Sequence, residues 1–325
     1  MRYVIIGTGN IARTYVSAVD KLDGQEIVGF VSRSPRRPSF VEGNVDVAET
    51  LDEISAPFDA VILATPPGLH HKGAAAAAAQ GKHVLSEKPL DVTRANMDAM
   101  IDACRQAGVK LAVAYQRRMS PDNQALKKVL DDEGLGRLYA ADLSVKFYRD
   151  QSYYDSAPYR GTLVEDGGGP FVQQASHNID LYSWFFGTPK QVVSMMGTLA
   201  HDIEVEDHGA ALLRHDDGMI GTIVASTLAK PGFAARLEVH GERGSVVAEN
   251  DRITTWEVDG VANPSTEPAG AIHSGASVSV EDTFGHEAIL NDFVEAVRDD
   301  RDPMVTGESA REASRLILCI YEGAV

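Results

Sequence analysis

The 325-residue chain has two cysteines, two tryptophans, 30 basic residues against 47 acidic ones, and no apolar run near the ~20 residues that a membrane-spanning helix needs. Cys104 and Cys319 stand alone, match no metal or redox spacing, and read as reduced, buried thiols. No cluster of His, Cys, Asp or Glu has ligand spacing, so no metal site is expected. The net charge of −17 argues against nucleic acid and membrane as partners, because both need a basic footprint. It leaves room for an anionic small molecule, which meets only the local field of a cleft. The chain starts directly on a strand, with no basic, apolar leader, and this reading places it in the cytoplasm. The rest is ordinary for a globular protein, 44% apolar and 24% charged, and the length suffices for two domains.

Short apolar strands at 1–6, 26–31, 60–64, 83–85 and 110–114 alternate with helical stretches at 11–22, 69–80 and 94–107. Such alternation predicts an α/β fold with a doubly wound parallel sheet over a first domain, 1–120. After Pro121 the pattern changes to a second domain, 121–325. A helix over 123–133 leads to a long strand over 137–149, and a second helix is expected over 171–186. Period-two stretches follow at 191–199, 208–214, 219–227, 237–240, 245–249 and 253–258, with a hairpin turn at Asp216-Asp217-Gly218. They predict a mainly antiparallel open sheet of about six strands with helices on one face. The other face is a candidate for a homodimer or homotetramer contact. Residues 261–280, rich in Gly, Pro, Ser and Ala, read as a mobile loop, and helices near 284–298 and 308–321 close the chain.

The first strand runs into Gly7-Thr8-Gly9-Asn10-Ile11-Ala12, a GxGxxA pattern. Gly7 permits the tight turn, Gly9 lets the backbone approach a pyrophosphate, and Ala12 keeps the helix close to the sheet. The free N–H groups at the start of that helix suit a phosphate. The second strand ends not in the carboxylate that would bond the ribose 2′-hydroxyl of NAD but in Ser32-Arg33-Ser34, with Arg36 and Arg37 close behind. Guanidinium groups bind a 2′-phosphate with paired N–H donors, so NADP(H) is preferred over NAD(H).

Two further stretches carry chemistry. Glu87-Lys88-Pro89 ends a strand on the carboxyl edge of the first sheet, where open α/β folds bind ligands. Gly167-Gly168-Gly169 suggests a close backbone approach before a helix beginning at Pro170, and on that helix Gln173, His177, Asp180 and Trp184 share one face. Taken alone, His177 reads as a core histidine satisfied by Asp180; taken with its neighbours, it reads as part of a site wall.

With the stretches Thr65-Pro66-Pro67-Gly68-Leu69-His70, Gly81 to Pro89, Tyr115-Gln116-Arg117-Arg118 and Gly167 to Asp180, the chain resembles the Gfo/Idh/MocA oxidoreductase family. The run Arg149 to Asp155, followed by Tyr159-Arg160-Gly161-Thr162, resembles a subset acting on sugars and nucleotide sugars; a tryptophan usually stands where Tyr159 does. The resemblance implies a Rossmann domain, an α/β domain on an open sheet, and an active site between them. It implies that Lys88 and His177 are catalytic, and that Asp180 contacts substrate or orients His177. Gln173 departs from the aspartate or asparagine frequent at that position, and glutamine cannot act as acid or base.

On this footing the expected reaction moves a hydride between the nicotinamide and a carbon of a sugar or sugar derivative. His177 is the base and the Lys88 ammonium binds the alkoxide, or the two roles are exchanged. Arg160, Tyr153, Tyr154 and Gln173 are candidates for sugar hydroxyls or an attached carboxylate or phosphate. Gln116 is a candidate for the nicotinamide amide and Glu87 for its ribose, with Thr65, Pro66 and His70 also on the cofactor. Arg118, His71 and His286 are weaker candidates. Two other readings stay open: a non-catalytic NADP-binding regulator, and a glycosidase that keeps its nicotinamide bound.

Overall fold

The computed structural model describes residues 1–164, 166–265 and 283–325, which divide into two compact units. The loop expected over 261–280 falls mostly outside the described residues.

The first unit is Met1–Gln116 with the described part of Val278–Arg311. Its strands are β1 (Arg2–Ile6), β2 (Glu26–Val31), β3 (Asp46–Ala48), β4 (Ala60–Leu63), β5 (His83–Ser86) and β6 (Leu111–Val113). They form one sheet in the order β3-β2-β1-β4-β5-β6, every pair parallel. Tyr3, Val4 and Ile5 of β1 and all of β4 are fully buried, as strands covered on both faces must be. The order reverses between β1 and β4, and a doubly wound sheet binds ligands at the carboxyl ends of its strands there. Helices α1 (Asn10–Val19), α2 (His70–Ala79) and α3 (Arg94–Ala107) connect the strands. In α3 the Thr93 hydroxyl caps the start by accepting from Asn96 N at 3.2 Å, and Gly108 in the left-handed conformation ends the helix.

The sequence predicts a second domain unbroken from 121 to 325. The described part of Val278–Arg311 instead belongs to the first unit, where helix α7 (Phe284–Arg298) packs against α1. Its Phe293 meets the His83 ring edge-on at 6.5 Å.

The second unit is the described part of Arg117–Ser277 with Glu312–Val325. It contains α4 (Pro121–Asp131), β7 (Leu138–Lys146), α5 (Gln151–Asp155), α6 (Ser176–Phe186) and β8 (Gln191–Gly197). β9 (His208–Arg214), β10 (Ile220–Ser226), β11 (Arg236–Gly241), β12 (Gly244–Glu249) and β13 (Arg252–Val258) follow. The final helix, α8 (Gly307–Glu322), belongs here from Glu312 onward. The sheet has seven strands rather than six, in the order β13-β12-β11-β7-β10-β9-β8, antiparallel except for β7 with β10. The expected turn at Asp216–Gly218 joins β9 to β10, with Met219 N donating to Asp217. One face is packed: Leu143, Val145, Ile223 and Ala225 share a core with Ile179, Tyr182 and Phe185 of α6 and Leu316 and Ile320 of α8. The open face carries Val193 and Met195 of β8, Leu212 of β9 and Ile220 of β10, all exposed, beside Thr222 and Asp142.

Among the described residues no helix is long and apolar enough to cross a membrane, and no group of three His, Cys, Asp or Glu side chains is placed to hold a metal. Both cysteines are unpaired; Cys104 is buried, which pushes its thiol up to about 12, and Cys319 is only half-buried.

Candidate functional site

In the first unit the glycine turn is built as its pattern predicts. Gly7 has φ +115°, its N–H donates to Val31 O at 2.9 Å, and a Cβ there would overlap the Ala64 carbonyl at the end of β4. Gly9 is the extended residue that starts α1, and a Cβ on it would meet nothing within 4 Å. The first turn of α1 has no acidic residue and no side-chain cap, so its N–H groups remain for a ligand. Asn10 is exposed, Thr8 and Ile11 are half-buried, and Ala12 is fully buried.

At the end of β2 the Ser32 hydroxyl donates to Ser34 O at 2.9 Å, with Arg33 and Ser34 exposed. The Arg37 guanidinium is committed to its own loop, donating to Val41 O at 2.6 and 3.1 Å. That leaves Arg33 as the arginine nearest the end of the strand without such a tie.

Two polar atoms of this unit, Thr65 Oγ1 and Gln116 Oε1, are buried without a hydrogen-bond partner. Buried polar atoms are rarely left so, and each unmade bond costs about 1–3 kcal/mol. Together with the glycine turn and the uncapped helix start, they fit a nicotinamide dinucleotide: the turn and α1 for the pyrophosphate, Thr65 and Gln116 for polar groups of the cofactor. Pro66 is half-buried beside Thr65. His70 is fully buried with both ring nitrogens on backbone oxygens, Nδ1 on Pro89 and Leu90 at 3.1 Å and Nε2 on Thr65 at 3.0 Å. It ties the Thr65 turn to the Pro89 turn rather than offering an edge to a cofactor.

Lys88 is half-buried at the end of β5. Glu87 before it is buried, and its carboxylate is engaged from three sides: Tyr15 Oη donates at 2.9 Å, Lys88 N at 3.2 Å, and His286 Nε2 lies 3.7 Å away. Burial alone would push the Glu87 carboxyl up, but the nearby His286, the Lys88 charge and the Tyr15 hydroxyl together hold it below its ordinary value. The Tyr15 ring packs edge-on against His286 at 5.1 Å. His71 pairs with Asp91 at 3.0 Å.

In the second unit α6 begins at Ser176, not at 171. Residues 172–175 form successive turns back to the carbonyls of Gly169 and Pro170, so Gln173 precedes the helix and does not share its face with His177. The Gln173 amide donates to Asp166 O at 2.5 Å. The glycine triplet does serve a close approach, but to protein: a Cβ on Gly169 would overlap the Glu206 carbonyl, and Glu206 accepts from Gly169 N and Phe171 N at 3.1 and 3.3 Å. His177 is half-buried in the first turn of α6.

Asp180 is fully buried, and both its oxygens accept from the Arg118 guanidinium at 2.7 and 2.5 Å. Burial pushes its carboxyl up to about 6 against the pull of Arg118. Arg118 also lies 5.5 Å from the Trp184 ring. The pair fastens α6 to the segment before α4, and this geometry makes Asp180 a framework residue.

Tyr154 is buried with its hydroxyl 3.0 Å from Thr227 Oγ1. Tyr153 and Arg160 are half-buried, with the Arg160 guanidinium 4.3 Å from the Tyr153 ring centre. Tyr15 and the weak candidate Arg118 are the residues sequence reasoning undervalued. Tyr15 has no local signal beyond its place on the buried side of α1.

The sequence matches the pattern of the GFO/IDH/MocA oxidoreductase family, NAD-binding Rossmann fold, over residues 1–115, and of the GFO/IDH/MocA C-terminal domain over 123–247. It is 27% identical over 275 residues to inositol 2-dehydrogenase from Rhizobium meliloti (strain 1021), covering 81% of each chain. It is 28% identical over 288 residues to scyllo-inositol 2-dehydrogenase (NADP(+)) IolU from Bacillus subtilis (strain 168), covering 83% of this chain and 84% of that one. Among solved structures, the WlbA dehydrogenase from Bordetella pertussis, in complex with NADH and UDP-GlcNAcA, aligns with a TM-score of 0.85 at 30% identity over 99% of this chain and 95% of the other.

Proposed function

This chain belongs to the GFO/IDH/MocA oxidoreductase family, and from that premise we propose that it transfers a hydride between a nicotinamide cofactor, NADP(H) ahead of NAD(H), and a hydroxyl-bearing carbon of a sugar or sugar derivative. The observation that carries the reading is the pair of orphaned buried atoms, Thr65 Oγ1 and Gln116 Oε1, in the unit that also holds the Gly7–Gly9 turn and Lys88. The preference for NADP(H) rests on Arg33 and on the lack of a carboxylate at the end of β2. Relatives include enzymes named for NADP(+) and for NAD(+), so family membership alone does not set the cofactor. A carbohydrate substrate is supported by the relatives named for inositols and by the UDP-GlcNAcA in the WlbA complex.

The nicotinamide, when bound, accepts the hydride in one direction and donates it in the other. His177 takes the proton of the substrate hydroxyl, since an imidazole titrates near neutrality. Lys88 is the ammonium that stabilises the oxygen as negative charge develops. Glu87 supports this division of roles: its carboxylate is held below its ordinary value, with the Lys88 charge among the causes.

Lys88→Ala and His177→Ala test the assignment. Each should still bind NADP(H) by fluorescence titration and lose about 10²–10⁴-fold in turnover, the range for a positioned acid or base. Wild-type turnover in either variant contradicts it.

A further inference from the structure

Two guanidinium groups of the second unit converge on one aromatic ring. Arg160 lies 4.3 Å and Arg149 5.2 Å from the Tyr153 ring centre, and Arg160 is also 5.6 Å from that of Tyr159. In a chain of net charge −17, neither arginine has an ion-pair partner among the described residues. Among the described residues, the acids nearest in sequence are already engaged. Asp150 accepts from Ser152 Oγ at 2.7 Å and Tyr153 N at 3.1 Å, Asp155 from Gln151 Nε2 at 3.0 Å, and Asp166 from Gly161 N at 2.8 Å. Arg149 spends one N–H on the Tyr148 carbonyl at 2.8 Å. Arg160 Nε is buried and makes no hydrogen bond.

Like charges gathered beside one ring repel, and a buried N–H without an acceptor is costly. Both problems are removed by one ligand group, an oxyanion. Stacking on a tyrosine leaves the N–H edge of a guanidinium free and fixes its plane, the arrangement for bidentate recognition of carboxylate or phosphate. The Tyr153 ring is itself steadied by the Gln174 amide, which donates to its hydroxyl at 3.4 Å. We infer that Arg149 and Arg160, on Tyr153, form a receptor for an oxyanionic substituent, carboxylate or phosphate, carried by the substrate. The inference rests on the proposed hydride transfer only in calling the occupant a substrate; the anion site stands on the arginines.

The test is calorimetric titration of the full chain in NADP+ with D-glucose, D-glucuronate and D-glucose 6-phosphate, repeated for Arg160→Gln, Arg160→Lys and Arg149→Gln. At least one charged sugar should bind about tenfold more tightly than glucose, a gap that added salt narrows. Arg160→Gln should bring that ratio to within about threefold of unity, and Arg160→Lys, which keeps the charge and loses the fork, should fall between. A glucuronate preference identifies a carboxylate and a 6-phosphate preference a phosphate. Charged sugars binding no better than glucose overturn the inference, as does a gap that survives both Arg160→Gln and Arg149→Gln; should the glutamine variant at 160 unfold, Arg160→Lys and Arg149→Gln decide alone. Turnover separates this result from the hydride reading. Tight charged-sugar binding without any change in the nicotinamide sinks the latter alone, and hydride transfer without preference sinks the former alone.

Discussion

Glu87 and Asp180 are buried carboxylates with opposite outcomes. Asp180 has one partner, Arg118, and burial wins, taking its carboxyl up to about 6. Glu87 has Tyr15, His286 and the Lys88 backbone and charge around it, and these win over burial. A carboxyl lowered on folding contributes stability that is present above its unfolded pKa and is lost as pH falls through the lower folded value. Glu87→Gln is therefore expected to lower the Tm at neutral pH and to flatten the loss of stability below the ordinary value of 4.5. Melting curves recorded across that range check this, and an acid limb as steep as wild type would refute it. These partnerships were not readable beforehand. Tyr15 is 72 positions from Glu87, and Arg118 is 62 from Asp180. Local spacing tied Asp180 to His177, its near neighbour on α6, because a helix face is all that sequence alone displays.

At the scale of elements, legibility follows how local the determinants are. The β1–turn–α1 unit was readable because Gly7, Gly9 and Ala12 act within one strand, one turn and one helix. The start of α6 was not. Pro170 looked like a first helical residue, but the Glu206 carboxylate and the carbonyls of Gly169 and Pro170 take up the backbone N–H groups in turns. The β9–β10 hairpin was legible from its Asp-Asp-Gly turn, whereas the parallel pairing of β7 with β10 depends on strands far apart in sequence. Gly9 offers a prediction that separates folding from binding. Its Cβ would meet open space, so Gly9→Val should melt within about a few degrees of wild type, the helix-start preference being worth ~1 kcal/mol. The added side chain would stand where the pyrophosphate must approach the backbone, and NADP(H) affinity should fall by at least about tenfold. A stable variant with unchanged affinity would show that the dinucleotide does not lie on this turn.

For the molecule as a whole, fold class was legible, because sheet type is written in strand–helix alternation and in period-two stretches. The return of residues 283–311 to the first unit was not, since an amphipathic helix such as α7 shows that it packs but not on what. The excess of negative charge sets the background against which Arg33, Arg149 and Arg160 stand out. The central claim is net hydride transfer, and its most direct measurement is the steady-state absorbance of the nicotinamide with the full chain, NADP+ or NAD+, and a panel of aldoses, inositols and sugar nucleotides. The account predicts sustained accumulation of reduced cofactor with at least one of them, faster with NADP+ than with NAD+. Cofactor binding with no net change across the panel would contradict it, and would favour a regulator or an enzyme that recycles its nicotinamide within each turnover.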